Sequence, residues 1–118
     1  MSHHINSFQA VKIEVYVPPE ALEKVKAAMH NAGAGRLGDY DCAAAEIKVK
    51  GYWRPLSGAS PYLGSLNELC SADEIKIEAY CGREYVREVL QAIRMAHPYE
   101  EPVISVIPLI NHLFEAMI

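Results

Sequence analysis

An internal repeat constrains this chain more than any other feature of its sequence. Residues 11–17 read VKIEVYV and residues 75–81 read IKIEAYC, and in both segments apolar side chains alternate with polar ones or tyrosine. Alternation with a period of two is typical of a strand that buries one face. The segments that follow, residues 18–33 and 83–97, carry apolar residues at helical spacing instead. The sequence therefore predicts two copies of a strand–helix unit.

Each unit needs a returning strand. In residues 43–53, AAAEIKVKGYW, the alternation with lysine predicts a second strand with Ile47 and Val49 facing inward. Residues 101–109, EPVISVIPL, form a short run rich in β-forming residues. The order β-α-β-β-α-β predicts an α+β, ferredoxin-like sandwich, with one antiparallel sheet and both helices on one of its faces.

Two segments lie outside this pattern. Residues 51–71 form a long connection between the second and third strands, rich in Gly, Pro and Ser. A connection of this length in a compact domain is usually functional or pinned to something. Residues 111–118, NHLFEAMI, have the spacing of a short amphipathic helical turn. We take residues 1–118 as a single domain with its core at about residues 10–109, because 118 residues is a common size for one domain.

The stretch GAGRLG matches the dinucleotide-binding pattern G-x-G-x-x-G at Gly33, Gly35 and Gly38. In such a site a strand precedes the glycines and a helix follows them, so that the helix N-terminus holds the phosphates. Here the predicted order is inverted, and the helix presents its partially negative C-terminus. We therefore expect Gly33 or Gly35 to adopt the left-handed conformation that ends helices.

Composition and charge exclude several classes of protein. The net charge is −4 and no block of Lys or Arg occurs, so no nucleic-acid partner is expected. No apolar run is long enough for a membrane span, and the first residues lack the apolar region of a signal peptide. Three cysteines without a C-x-x-C pair indicate reduced thiols and a cytoplasmic location. His3 and His4 could bind a metal ion or belong to a frayed polar terminus.

The segment AHPYEEP is dense in functional side chains. Histidine and carboxylates can ligate a divalent ion, so His97, Glu100 and Glu101 are candidate metal ligands. His97 and Tyr99 are also candidates for binding a small ligand. The alternative is structural: Pro98 ends the second helix, Tyr99 packs on the core and the glutamates cap or face solvent. The sequence leaves both interpretations open.

Trp53, Arg54 and Tyr62 in the long connection are further candidates for ligand binding. An arginine beside aromatic rings could stack on a ligand ring or clamp a carboxylate. The alternative is that these residues pin the loop onto a neighbour.

The cysteines, Cys42, Cys70 and Cys81, are expected to be small buried hydrophobes. A catalytic cysteine would need a nearby base, for which only His30 or His97 is available.

The face of the sheet that the helices leave open is predicted to be amphipathic. It carries Lys12, Glu14, Tyr16, Lys76, Glu78 and Tyr80. Tyrosines on a half-covered sheet favour a partner subunit, whereas charge pairs across neighbouring strands would suit a solvated face.

Four segments together resemble a known family. A strand ending in EVYVP is followed in order by GAGRLGDYDCA, GYWRPLSGASPYLG and AHPYEEP. Over about residues 10–109 the chain resembles the insert domain, also found freestanding, of the NGG-one-interacting-factor-three superfamily (YqfO-type). The HPYEEP stretch with the apolar tail is also similar to the CutA divalent-cation tolerance family, whose relatives include the PII signalling proteins.

This resemblance implies a ferredoxin-like fold, a trimer whose sheets pack together, and a regulatory or ligand-binding role, with divalent metal binding associated with the CutA group. The flanking domains that carry a two-metal site in the full-length superfamily are not among these residues, so its hydrolase activity is not expected here. No phosphate loop of the PII type is found.

The sequence therefore favours a non-catalytic, homotrimeric ligand-binding or regulatory module, cytoplasmic and with no certain cofactor. The first alternative is a copper- or zinc-binding tolerance protein that uses His97, Glu100 and Glu101. The second is a small enzyme with a site between subunits, using Cys42 or His97.

Overall fold

The computed structural model describes residues 8–118, and His3 and His4 lie outside the described residues. The four strands are β1 (Ala10–Val17), β2 (Ala45–Trp53), β3 (Cys70–Gly82) and β4 (Ile104–Leu109). The two helices are α1 (Leu22–Ala32) and α2 (Val86–Ala96), each entered through a one-turn 3-10 helix, Pro19–Ala21 and Arg83–Tyr85. The chain closes with 3-10 turns over Asn111–Met117 that are kinked at Phe114.

The strands form one antiparallel sheet in the order β2-β3-β1-β4. The two repeated strands pair with each other in the centre, with Val11 opposite Cys81 and Val17 opposite Ile75. Both helices pack on the same face, because Val25 of α1 joins Ile93 of α2 in a single core cluster with β1 and β3. The predicted α+β, ferredoxin-like sandwich is confirmed.

The inward face predicted for β2 is wrong. The register places Ile47 opposite Lys76 and Val49 opposite Glu74, so both apolar residues lie on the open face of the sheet. Glu46 lies on the helix side instead, where it forms an ion pair with Lys26 of α1. Period two distinguishes two faces without saying which one is covered. Because β2 is an edge strand, its charged residues on the helix side remain exposed.

The strands also extend further than expected. β2 continues to Trp53 and β3 begins at Cys70, so the long connection runs over residues 54–69 rather than 51–71. The first residues of β3, CSADE, are polar and lack the apolar alternation by which a strand is recognised in the sequence. They form the start of β3 by pairing with the end of β2.

Gly33 ends α1 as predicted. Its φ of 120° lies in the left-handed region. Its N–H donates to the carbonyl of His30 (3.1 Å), and the N–H of Ala34 donates to that of Met29 (3.0 Å). This pair of bonds is the Schellman motif. The glycines therefore turn the chain from α1 toward β2, and no helix N-terminus is available there for a phosphate.

Candidate ligand-binding cleft

A cleft of about 540 Å³ lies between residues 54–63 of the long connection, one end of the sheet and the segment that follows α2. We call it the aromatic cleft, because five aromatic side chains line it: Tyr16, Tyr52, Trp53, Tyr62 and Tyr99. Charged side chains line it as well: Lys50, Arg54, Glu74, Glu100 and Glu101. This volume lies within the range of small-molecule sites.

Residues proposed from two distant segments of the sequence meet in this cleft. Trp53, Arg54 and Tyr62 come from the end of β2 and the long connection. Tyr99, Glu100 and Glu101 come from the segment after α2. His97 does not line the cleft, but its ring lies against Tyr99, with ring centroids 4.7 Å apart. The fold therefore brings six of the seven candidates to one place and sets the seventh behind them.

His97 joins the end of α2 to the sheet. It is 7% exposed, and α2 ends directly before it, next to Pro98. Its Nε2 lies 2.6 Å from the carbonyl oxygen of Tyr16, and its Nδ1 lies 3.1 Å from the N–H of Tyr99. A carbonyl can only accept and an N–H can only donate, so Nε2 carries the proton and Nδ1 is the acceptor. Burial lowers the pKa of His97 and so favours the neutral ring. The hydrogen bond to Tyr16 opposes this effect only in part.

These two bonds bear on the candidate metal site. With one nitrogen donating and the other accepting, His97 has no lone pair left for a metal ion in this arrangement. Glu100 instead accepts a bond of 3.0 Å from the N–H of Ser60. Among residues 8–118, no group of three His, Cys, Asp or Glu side chains is placed to hold a metal. His97, Glu100 and Glu101 therefore do not form a ready ligand set here.

Tyr99 links the cleft to a buried carboxyl group that the sequence analysis missed. Its hydroxyl donates a bond of 2.7 Å to Glu74 Oε2, and Glu74 is 7% exposed. Burial and the bond to Glu74 raise the pKa of Tyr99, so the hydroxyl remains a donor. The other oxygen, Glu74 Oε1, occupies the space that a side chain at Gly51 would fill, since a Cβ there would lie 1.7 Å from it.

A signal for Glu74 was present in the sequence. A glycine inside a strand often marks a close approach of another group, and Gly51 lies within β2. Without the register, however, the residue that approaches Gly51 could not be named.

The long connection is held over the cleft by hydrogen bonds. Tyr62 donates to Glu20 Oε2 (2.7 Å), and Trp53 Nε1 donates to the carbonyl of Leu63 (3.1 Å). The first bond lowers the pKa of Glu20 and raises that of Tyr62. Both aromatic residues therefore pin the loop and line the cleft together. The exposed Arg54 has no hydrogen bond or ion pair to any residue of the described chain.

The three cysteines, Cys42, Cys70 and Cys81, are free thiols. Burial raises the pKa of Cys81 to about 11. Cys42 is exposed, contrary to expectation, and local desolvation together with Asp41 raises its pKa. A raised pKa disfavours the nucleophilic thiolate. Cys70, half-buried, donates to the carbonyl of Glu68 across 3.2 Å.

The open face of the sheet carries a closed ring of ion pairs. Lys12 Nζ lies 3.3 Å from Glu14 and 2.9 Å from Glu78, and Lys76 Nζ lies 3.7 Å from Glu14 and 2.8 Å from Glu78. Each lysine therefore contacts both glutamates. These contacts raise the pKa of both lysines and lower that of Glu78. The ring is charge-balanced, so the charge pairs expected across strands are present.

Within residues 8–118, neither helix has the length and apolar character that crossing a membrane requires.

Comparison with proteins of known sequence shows similarity to part of a longer protein. The chain is 38% identical over 97 residues to the GTP cyclohydrolase 1 type 2 homolog of Bacillus subtilis, covering 82% of this chain and 26% of the relative. It is 40% identical over 96 residues to that of Listeria monocytogenes, covering 80% and 26%. The chain thus spans about a quarter of the length of these relatives. No protein-family model matches it.

Solved structures agree with the sequence matches. A Bacillus cereus protein related to NIF3 superposes with a TM-score of 0.78 at 32% identity, covering 88% of this chain and 26% of that one. The divalent cation tolerance protein CutA of Archaeoglobus fulgidus gives 0.63 at 16% identity, and a PII-like CutA of Nostoc gives 0.64 at 18%. These two cover 86% and 87% of this chain, and 84% of their own chains in both cases.

The fold is therefore that of the CutA and PII-like α+β proteins. Within that class, the chain is a homologue of a domain-sized part of the NIF3-related GTP cyclohydrolase 1 type 2 homologs, and the resemblance seen in the sequence is confirmed.

Proposed function

We propose that this chain is a non-catalytic, oligomeric ligand-binding or regulatory module of the cytoplasm, and that it binds a small molecule in the aromatic cleft. The observation that carries the proposal is the convergence of Trp53, Arg54, Tyr62 and Tyr99 on one cleft from two distant segments. A few polar groups in a largely apolar concavity are the usual make-up of a small-molecule site.

A homotrimer is the second part of the proposal. The end of the chain exposes large apolar side chains: Ile110, Leu113, Phe114, Met117 and Ile118. Ile47 on β2 and Ile107 on β4 add apolar surface at the two edges of the open face. Large apolar side chains exposed in such number are typical of subunit contacts. The ring formed by Lys12, Glu14, Lys76 and Glu78 does not itself support the trimer, because burying ion pairs carries a desolvation cost.

Two other functions have less support. A divalent-metal role through His97, Glu100 and Glu101 would require His97 to give up a hydrogen bond to Tyr16 or Tyr99. A cysteine enzyme would need a thiolate, which the raised pKa of Cys42 disfavours. The relatives carry the word cyclohydrolase in their name, but this chain spans only about a quarter of their length. The name therefore gives no support to a cyclohydrolase activity of this chain.

Thermal denaturation of the purified chain against a library of metabolites tests the binding part. We expect a member of the library to raise the midpoint in proportion to the logarithm of its concentration. Tyr62→Ala, which removes an exposed wall of the cleft, should lose the effect, and the control Glu68→Gln should keep it. A library without any stabilising member, or one whose effect Tyr62→Ala leaves intact, contradicts this part.

Light scattering tests the trimer. The expected mass is three times that of the 13.1 kDa chain at micromolar concentration, and a monomer would contradict the assembly.

A further inference from the structure

We propose that the ligand of the aromatic cleft carries an organic nitrogen cation, an ammonium, amidinium or guanidinium group, whose N–H donates to Glu74 Oε1 between tyrosine rings. This inference rests on the proposed function and names the chemical class of the ligand. It follows from the buried carboxyl group of Glu74, of which one oxygen accepts a hydrogen bond within the folded chain and the other does not.

Glu74 is a buried residue, 7% exposed, that lines the cleft. Its Oε2 accepts the hydrogen bond from Tyr99, whereas its Oε1 has no hydrogen-bond or ion-pair partner among the residues that the structure describes. Among the described residues, the one fully enclosed side-chain polar atom without a partner is His30 Nδ1, so Glu74 Oε1 is still accessible to solvent. A ligand in the cleft can therefore reach this oxygen with an N–H and form a charge-assisted hydrogen bond.

Tyrosine rings line the same cleft as Glu74. Tyr62 and Tyr99 form a tilted pair, with centroids 5.7 Å apart and planes at 49°, and the half-buried Tyr16 lines the same cleft. The face of an aromatic ring attracts a cation, and more strongly where water is excluded. A charged nitrogen group next to Glu74 therefore gains from the carboxyl group and from the rings together.

Other classes of ligand fit this end of the cleft less well. An anion would meet the carboxyl group of Glu74 at short range, and a purely apolar ligand would leave Oε1 without a donor. A metal ion requires several ligands, and within residues 8–118 no suitable group of three is present.

Two cationic side chains, Lys50 and Arg54, also line the cleft. Both are exposed, so solvent screens their repulsion of a bound cation more than it screens the attraction of the buried Glu74.

Three small probes of matched shape test the inference: benzamidine, which is cationic, benzamide, which is neutral, and benzoate, which is anionic. Trp53 is the one tryptophan of the chain and lines the cleft, so its indole N–H resonance in heteronuclear NMR spectra reports occupancy. We expect benzamidine to shift this resonance saturably and to bind about tenfold more tightly than benzamide, as for a charge-assisted hydrogen bond. Benzoate should bind more weakly than either.

A matched pair of variants assigns the preference to Glu74. Glu74→Gln should reduce the ratio of benzamidine to benzamide affinity to about one, while Glu68→Gln, which removes the same charge outside the cleft, should leave it unchanged. The wild-type ratio stands alone as a test if Glu74→Gln fails to fold.

Equal binding of benzamidine and benzamide, a preference for benzoate, or no shift of Trp53 with any probe overturns the inference. If benzoate or benzamide shifts the Trp53 resonance with an affinity equal to or higher than that of benzamidine, the cationic ligand is overturned while the ligand-binding cleft remains. Failure of the proposed function itself would appear separately, as a metabolite library without any member that acts through Tyr62.

Discussion

The hydroxyl of Tyr99 donates a hydrogen bond of 2.7 Å to Glu74, and this bond ties the segment after α2 to the third strand at the floor of the aromatic cleft. The same segment is fixed from behind, where His97 accepts from the N–H of Tyr99 and donates to the carbonyl of Tyr16. The cleft therefore has a wall that is set by hydrogen bonds on both sides.

Tyr99→Phe removes the donor to Glu74 and keeps the ring. We expect a loss of about 1–3 kcal/mol in the free energy of unfolding, because a buried carboxyl group loses its hydrogen bond. Urea denaturation measures it. Tyr62→Phe is the matched control, since its hydroxyl bonds to the exposed Glu20, and it should cost clearly less stability than Tyr99→Phe. Equal losses in the two variants would show that the Tyr99 bond has no special weight.

Gly51→Ala places a methyl group where Glu74 Oε1 lies, so the buried carboxyl group must shift. We expect this overpacking to destabilise the chain by about 1–3 kcal/mol. In a Glu74→Ala background the space is empty, and the same change should cost much less. Denaturation of the four proteins of this double-mutant cycle gives the coupling energy. A coupling energy of zero is incompatible with the close approach of Gly51 and Glu74.

Gly33→Ala should destabilise the chain more than Gly38→Ala. Both glycines have positive φ, 120° and 56°, but a Cβ at Gly33 would lie 2.6 Å from the ring of Tyr85, whereas nothing lies near one at Gly38. Gly38→Ala should cost about 1 kcal/mol from backbone strain alone, and Gly33→Ala roughly twice that or more. Thermal or urea denaturation ranks the two, and the reverse order would contradict the Schellman ending of α1.

His97 should make stability depend on pH. Its pKa is lowered in the folded chain from the ordinary 6.5, so the unfolded chain binds more protons between the two values. Stability therefore rises with pH through this window, is fully present above about 6.5, and is lost as the pH falls. Each unit of difference between the two pKa values amounts to about 1.4 kcal/mol.

Urea denaturation between acidic and neutral pH measures this dependence. His97→Gln should flatten the slope that the wild-type chain shows, whereas His112→Gln, which changes another half-buried histidine, should retain it. If His97→Gln keeps the full slope, the buried neutral ring is not its source.

Much of this architecture is visible in the sequence. The repeat at residues 11–17 and 75–81 predicts the two central strands, and the inverted order around Gly33 predicts a helix end rather than a phosphate loop. These features succeed because they depend on local periodicity and on backbone conformation. The prediction that Ile47 faces the core was wrong, because the register with the neighbouring strand decides which side chains of an edge strand face the helices.

The candidate site was likewise predictable from the sequence only in part. Aromatic and charged residues clustered in two segments point to Trp53 and Tyr99, but their meeting is a property of the folded chain. Glu74 was missed because its strand reads as polar and solvated, and its burial depends on Gly51 and Tyr99. His97 has the chemistry of a ligand, and only its two hydrogen-bond partners reveal that its nitrogens are already occupied.

The central claim is that the aromatic cleft binds a small molecule, and Trp53 gives the most direct measurement of it. The chain should be titrated with the most stabilising metabolite from the library while the fluorescence of Trp53 is recorded. A saturable change with one site per chain, lost in Tyr62→Ala and kept in Glu68→Gln, is the result we predict. Stabilisation without any response of Trp53 would place the ligand elsewhere and contradict the account.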